Sequence, residues 1–267
     1  MDAQVTEANA IVADHVTKIY QDIEHGEEVV ALRDFSLTVR PNEFLAILGP
    51  SGCGKSTFLN IVAGFEPPTG GQVKVNGARV AGPGADRGVV FQDFALFPWL
   101  TVEQNIEFGL RNRGMPAGER KALCENMIRL VHLDGCARRY PRELSGGMKQ
   151  RVAIARVLAN DSRILLMDEP FGALDALTRY AMQKQLLEIW AKHQKMVLFI
   201  THSIDEALYL ADRVVILSAR PGRILEILEI PDPRPRDLTS PSCNEMRAIA
   251  LRLLEEEVNA AARQPAH

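Results

Sequence analysis

The sequence has no apolar run of membrane length: its longest, such as Met196-Val197-Leu198-Phe199-Ile200, are strand-sized, against the roughly 18–20 residues a spanning helix needs. A soluble chain is predicted. Cysteine is scarce, and Cys53, Cys124, Cys136 and Cys243 show neither metal-ligand spacing nor an evident pairing, which argues against a zinc site and a disulfide framework. They read as small apolar or spectator residues. No basic stripe with interleaved aromatics is present, and a net charge of −3 gives no reason to invoke nucleic acid. The opening residues Met1-Asp2-Ala3-Gln4-Val5 carry neither a basic nor an apolar segment, so secretion is disfavoured and the cytoplasm is the expected compartment. What remains is an ordinary globular composition, 267 residues with 46% hydrophobic and 24% charged, enough for one α/β domain with or without an inserted subdomain.

Phe44-Leu45-Ala46-Ile47-Leu48 is a continuous apolar run, as expected of a parallel strand buried on both faces, and it leads directly into Gly49-Pro50-Ser51-Gly52-Cys53-Gly54-Lys55-Ser56-Thr57. This is the P-loop pattern. Its glycines let backbone N–H groups wrap phosphates, Lys55 reaches the β- and γ-phosphates, and the Ser56 hydroxyl is placed for Mg²⁺. A helix from about Lys55 to Ala63, stopped by Gly64, would aim its dipole at the same anion. The fixed positions arise by chance in roughly one chain in a hundred of this size, and the strand–loop–helix context makes a purely structural turn a weak explanation. A nucleoside triphosphate with Mg²⁺ is the expected ligand, and kinases, GTPases and motors all share the loop.

A second buried-strand run, Ile164-Leu165-Leu166-Met167, ends in Asp168-Glu169-Pro170, placing two carboxylates at the end of a parallel strand where α/β folds bind ligands. Asp168 is assigned to Mg²⁺ and Glu169 to orienting and deprotonating the attacking water. A positioned general base contributes about 10²- to 10⁴-fold in rate, so Glu169 separates an ATPase from an ATP-binding switch. Leu144-Ser145-Gly146-Gly147-Met148-Lys149-Gln150-Arg151 supplies a further hydroxyl and bare N–H groups at a helix start. Taken alone it serves equally as a helix cap with Ser145 at the cap position.

Residues 11–40 alternate apolar and polar positions and predict antiparallel strands flanking the P-loop strand. Between Gln92 and Ser145 the pattern becomes helical, with a capping box at Thr101 and Gln104 and an apolar stripe of Leu123, Met127, Leu130 and Val131. The insert lacks sustained heptads, which excludes long coiled-coil arms. Pro231-Asp232-Pro233-Arg234-Pro235-Arg236 predicts a stiff, extended linker. A last amphipathic helix is expected to start at a capping box of Ser242 and Glu245, with Met246, Ile249, Leu253 and Leu254 on one face.

Taken in order, Tyr20, the P-loop, Gln92, the Ser145 motif, Asp168-Glu169, Asp175 and His202 resemble the motif series of ATP-binding cassette (ABC) ATPases, over about residues 11–230. The resemblance implies a P-loop NTPase core with a mostly parallel sheet, an antiparallel β subdomain and an α-helical signature subdomain inserted at about residues 93–158; residues 231–267 form the linker and terminal helix. It implies that Tyr20 stacks on adenine and that Gln92 is a neutral Mg²⁺ or water ligand. His202 would sense the γ-phosphate, making Glu169, His202 and Gln92 the catalytic set. Ser145, Gly146, Gly147 and Asp175 would face the ATP of a second cassette, and Ser56, Gln92 and Asp168 would hold Mg²⁺. Implied partners are a second ABC ATPase subunit, in the simplest case a homodimer, and transmembrane permease subunits, with a substrate-binding protein reached indirectly. The expected place is the cytoplasmic face of the inner membrane.

Phe97-Pro98-Trp99, Pro170-Phe171-Gly172-Ala173-Leu174-Asp175 and Ser218-Ala219-Arg220-Pro221-Gly222-Arg223-Ile224 are similar to the nitrate, sulfonate and taurine importer group. The apolar patch of Phe94, Leu96, Phe97 and Trp99 serves either as a groove for a permease helix or as packing of the insert. Two positions depart from the broader pattern: Met148 stands where many signatures have Gln, and Ser203 follows His202 where Asp is usual. An exporter or lipid-handling ATPase and a soluble, non-transport cassette are the rival readings. The other five histidines carry no such context.

Overall fold

The computed structural model describes residues 10–21, 26–193 and 195–263. Residues 1–5, read above for an export signal, lie outside the described residues, as do His25 and the last four residues of the expected C-terminal segment. In chain order, β1 (Ile11–Gln21), β2 (Glu28–Val39), β3 (Phe44–Leu48), α1 (Lys55–Ala63), β4 (Gly70–Val75) and β5 (Ala78–Arg79) come first. There follow β6 (Arg87–Val90), α2 (Val102–Asn112), α3 (Ala117–Leu130), a single 3-10 turn at Pro141–Glu143, α4 (Gly146–Ala159), β7 (Ile164–Asp168) and α5 (Ala176–His193). The chain then forms β8 (Met196–Thr201), α6 (Ile204–Leu210), β9 (Arg213–Leu217), β10 (Ile224–Glu229) and α7 (Pro241–Arg263). These elements build two compact units, Ala85–Ile189 and the remainder on either side of it.

In the first unit, β9, β3 and β8 pair in parallel, and β10 adds antiparallel to β9. All residues of β3, β8 and β9 are buried, which is why these strands read as unbroken apolar runs. A separate antiparallel sheet in the order β2, β1, β4, β5 carries the alternating pattern of residues 11–40. α1 packs beneath β2 through Phe58 and Phe35, whose rings lie 4.7 Å apart. The Arg234 guanidinium stacks 4.3 Å from the Trp190 ring and pairs with Asp212 at 2.9 Å. The Pro-rich stretch is non-helical, with bends at Asp232, Arg234 and Pro235, and is fastened to this unit.

In the second unit, β6 and β7 pair in parallel, and α2, α3 and α4 enclose an apolar core of their own. The Thr101 box at the start of α2 forms in both directions: Thr101 Oγ1 accepts from the Gln104 N–H at 3.3 Å, and Gln104 accepts from the Thr101 N–H at 2.9 Å. On α3 the expected stripe faces the core of the insert: Val131 is buried in it and Leu123 and Met127 pack against it, with Cys124 and Ile128 buried beside them and Leu130 half-buried. The helix offers a broad apolar face, and the packing of α2 and α4 selects its centre. Burial, together with Glu107 and Glu103, pushes the Cys124 thiol up to about 12, so it behaves as an apolar side chain. In the first unit, α7 is capped by Ser240, whose Oγ accepts from the Cys243 N–H at 3.2 Å, and the Ser242 box is not used. Pro241 explains the shift: it lacks an N–H and suits the first helical position, leaving the preceding serine as cap.

Candidate functional site

Parallel register decides what meets at the sheet edge. Leu48, the last residue of β3, pairs with Thr201 of β8 and with Ile216 of β9. The P-loop, His202 and the 218–223 loop therefore leave the first unit's sheet along one edge. Gly54 precedes α1 with φ of 98°, and a Cβ there would lie 2.7 Å from the Ala31 carbonyl oxygen, so only glycine fits. Lys55 is buried, and its ammonium donates to the Gly49 and Pro50 carbonyls at 2.8 Å each, spanning the loop it belongs to. Ser56 is exposed on the first turn of α1, and that turn contains no acidic side chain to compete with an anion. The Cys53 thiol is buried and pushed up by that burial, with no nucleophilic role.

His202 is exposed one residue beyond β8. The Ser203 departure has a structural reading: its hydroxyl caps α6 by accepting from the Glu206 N–H at 3.3 Å, a task serine and aspartate perform alike. Thr201 completes the turn by donating to the Glu206 carboxylate at 2.6 Å and accepting from the Ser203 N–H at 3.0 Å. Tyr20, near the end of β1, donates to Glu66 Oε2 at 2.7 Å, and its hydroxyl lies 3.4 Å from Thr57 Oγ1 on α1. Lys18 stands 5.0 Å from the centre of the Tyr20 ring and 3.3 Å from the same Glu66 oxygen. Burial raises the Tyr20 phenol above its ordinary value. The ring is thus held beside the first turn of α1 by partners the sequence pattern did not reveal.

The second unit repeats the logic of register. Val90 of β6 pairs with Met167 of β7, so Gln92 and the Asp168-Glu169 pair leave the same edge. Gln92 is exposed, and both acids are half-buried. Glu169 has φ of 43°, in the left-handed region, and its carbonyl accepts from the Gly172 N–H at 3.1 Å. A non-glycine residue there is strained by on the order of 1–3 kcal/mol, a cost tolerated where a side chain must be aimed.

Ser145 caps α4, its Oγ accepting from the Met148 N–H at 3.3 Å. The cap reading and the phosphate-holder reading are compatible, because Gly146 and Gly147 still begin the helix with bare N–H groups. A Cβ on Gly147 would sit 3.1 Å from Leu174 Cδ2, so this turn packs against the 172–174 loop. Asp175, next in line, caps α5 by accepting from the Thr178 N–H at 3.0 Å, and its hydrogen bonds with Thr178 hold its carboxyl below the ordinary value. Met148 packs against the apolar core of the helical insert, which accounts for an apolar residue at that position.

In the patch after Gln92, Phe97 packs against Phe108 at 4.4 Å and Trp99 at 5.7 Å, while Trp99 remains 69% exposed. Arg156 of α4 donates to the Phe94 and Ala95 carbonyls at 3.1 and 2.6 Å. Arg156, Phe108, Glu66 and Lys18 were not singled out from the sequence. Their only signal was a charged or aromatic side chain at a position otherwise read as surface.

A P-loop leaving one parallel strand, with carboxylates and a glutamine leaving the ends of two others, defines a P-loop nucleotide-hydrolysing protein. Residues 32–172 match the family model described as ABC transporter, and the chain belongs to that family. It is an ABC transporter ATP-binding protein and an ATPase. An uncharacterised ABC transporter ATP-binding protein of Methanocaldococcus jannaschii is 54% identical over 245 residues, 92% of this chain and 91% of that protein. The taurine import ATP-binding protein TauB of Burkholderia thailandensis is 55% identical over 74% of this chain and 76% of its own length. Among solved structures, the dimeric post-hydrolysis state of the ATP-binding cassette MJ0796 with ADP and Pi is similar at TM-score 0.76 and 33% identity, covering 83% of this chain and 99% of that one.

Proposed function

We propose that this chain is the energy-coupling ATPase subunit of an importer for a small anion, with taurine and related sulfonates foremost. The observation that carries the reading is the presence of two phosphate-holding helix starts in one chain. The P-loop suffices for the chain's own ATP, so the Ser145 turn is left for the ATP of a second copy. The dimeric state of MJ0796 and the identity to taurine import proteins support the dimer and the substrate class respectively.

In this reading, residues 49–57 wrap the triphosphate and Lys55 turns from its loop carbonyls to the β- and γ-phosphates. Among the described residues no cluster of His, Cys, Asp or Glu forms a self-contained metal centre. The exposed Ser56 hydroxyl, the Gln92 amide and the Asp168 carboxylate instead suit Mg²⁺ held together with the nucleotide. When bound, Mg²⁺ neutralises charge on the β- and γ-phosphate oxygens. Glu169 orients the attacking water and takes its proton, and His202 contacts the γ-phosphate. Ser145, Gly146, Gly147 and Asp175 of each copy contact the other's nucleotide, so closure requires ATP and opening follows hydrolysis. In this reading separate permease subunits carry the membrane spans and the chain lies peripherally on the cytoplasmic face; no described helix is long and apolar enough to cross a membrane. The Trp99 and Phe108 surface is assigned to the permease contact.

The test is reconstitution with the neighbouring permease and substrate-binding protein in liposomes, where taurine should stimulate ATP hydrolysis and be taken up. Hydrolysis indifferent to taurine, alkanesulfonates and nitrate alike would sink the importer reading. Tyr20→Ala should weaken ATP binding roughly 3- to 10-fold, and Tyr20→Phe, which keeps the ring, should remain within about twofold. Titration of a fluorescent ATP analogue separates these, and unchanged binding in Tyr20→Ala removes Tyr20 from the adenine site.

A further inference from the structure

The 218–223 loop takes no part in the mechanism above, yet it lies directly behind the P-loop. Arg220 donates from Nε to the Gly52 carbonyl at 3.3 Å. Two residues on, Gly222 approaches so closely that a Cβ there would stand 2.1 Å from the Cys53 carbonyl oxygen. Its N–H donates to the Ala31 carbonyl at 2.9 Å, and its carbonyl accepts from the Arg33 N–H at 3.4 Å, tying the loop to β2. The loop also closes on itself. Ser218 Oγ donates to the Pro221 carbonyl at 2.9 Å and accepts from the Arg223 N–H at 3.0 Å.

In a trans peptide the C=O and the following N–H point in opposite directions. Contacts on the Gly52 and Cys53 carbonyls from the 218–223 side therefore turn the Cys53 and Gly54 N–H groups away from that side, toward the loop's interior. There the Pro50 carbonyl accepts the Cys53 N–H at 3.4 Å. An anion in a P-loop is held by such N–H groups, so the two peptide planes are part of what sets its affinity.

The loop is held from the other side as well. Glu257, on the half-buried face of α7, accepts from the Ala219 N–H at 2.7 Å, so the terminal helix grips the residue next to Arg220. α7 is itself fastened by Cys243 and Ala250, both buried, and by the Arg247–Asp205 pair at 2.8 Å to α6.

We propose that Glu257 and Arg220 are positioning residues of the nucleotide site: α7, through Glu257, sets the 218–223 loop, and the loop, through Arg220 and Gly222, holds the P-loop in its anion-binding shape. The proposal rests on the P-loop being the nucleotide site. It makes the docking of the terminal helix a determinant of nucleotide affinity.

The experiment measures ADP affinity by calorimetry on the full chain for the parent, Lys55→Ala, Arg220→Ala, Arg220→Lys, Glu257→Ala and the Arg220→Ala/Glu257→Ala double variant. ADP is chosen so that dimer closure does not enter. Each alanine single should weaken ADP binding by about 3- to 10-fold, the loss expected of one hydrogen bond, and Arg220→Lys should recover part of it. The double variant should fall well short of the product of the singles, because both act through one loop. The KM for ATP should rise by a similar factor with kcat within about twofold, and amide exchange across residues 49–54 should quicken in both singles. Binding within about 1.5-fold of the parent in both singles, or multiplicative losses in the double, overturns the relay. A parent and Lys55→Ala with equal ADP affinity would instead overturn the P-loop reading itself, and the relay with it.

Discussion

Glu169→Gln is expected to bind ATP as the parent does and to turn it over about 10²- to 10⁴-fold more slowly. The amide keeps the size and shape of the side chain, and nothing in the substitution alters the backbone turn at φ of 43° or the Gly172 N–H to Glu169 carbonyl bond that closes it. What it removes is a group able to take a proton from water. ATP-driven closure of the dimer would then outlast the slowed chemistry, so the variant should run as a dimer in ATP during gel filtration while the parent returns to monomer. Asp168→Asn provides the contrast: loss of a Mg²⁺ ligand should weaken Mg-ATP binding as well as turnover. Single-turnover phosphate release checks both. A Glu169→Gln protein that hydrolyses at the parent rate would show that another group is the base.

Arg236→Met should destabilise the chain by roughly 3–5 kcal/mol, the range for stripping one partner from a buried charged network. The guanidinium donates to the carbonyls of Leu208 at 2.9 Å, Tyr209 at 3.4 Å and Ala211 at 2.7 Å, where α6 ends. It also donates to the backbone carbonyls of Asp232 at 2.9 Å and Ile230 at 3.4 Å. The last carbonyls of a helix have no partner within it, and they carry the negative end of its dipole, so one buried cation answers both needs. Burial pushes the Arg236 pKa down to about 10, which leaves it charged at neutral pH. Methionine fills the space and leaves the carbonyls without donors. The midpoint of thermal unfolding should drop by on the order of 10 °C, with Arg236→Lys intermediate because an ammonium cannot reach as many carbonyls. A shift of about 2 °C or less would mean that water replaces the guanidinium without cost. Because Ser203, the cap of α6, directly follows His202, partial unfolding there should also be felt in ATP turnover.

These two residues mark the division between what sequence reading reached and what it did not. Glu169 was legible because its signal is local: a buried strand, two acids and a turn, all within a few residues. The P-loop, the Ser145 turn and the Thr101 box were legible for the same reason. Arg236 was read only as part of a stiff, extended linker, since its carbonyl partners at Leu208, Tyr209 and Ala211 lie 25–28 residues earlier in the chain. Tyr20 shows both sides: its place on a strand could be inferred, but Glu66, which orients its hydroxyl, sits 46 residues away. The cap of α7 was missed differently: the pattern allowed Ser240 or Ser242, and Pro241 chose between them.

By itself, then, the sequence determined the class of the protein and the strand, loop and helix that carry its P-loop motif and its acid pair, because these are set by contiguous residues. Only the tertiary structure decided that P-loop and His202 share a sheet edge, that Arg236 of the Pro-rich stretch is buried against the end of α6, and that α7 reaches the 218–223 loop through Glu257. Those facts depend on parallel register and on hydrogen bonds between segments far apart in the chain, and no periodicity along the sequence encodes where a distant carbonyl will lie.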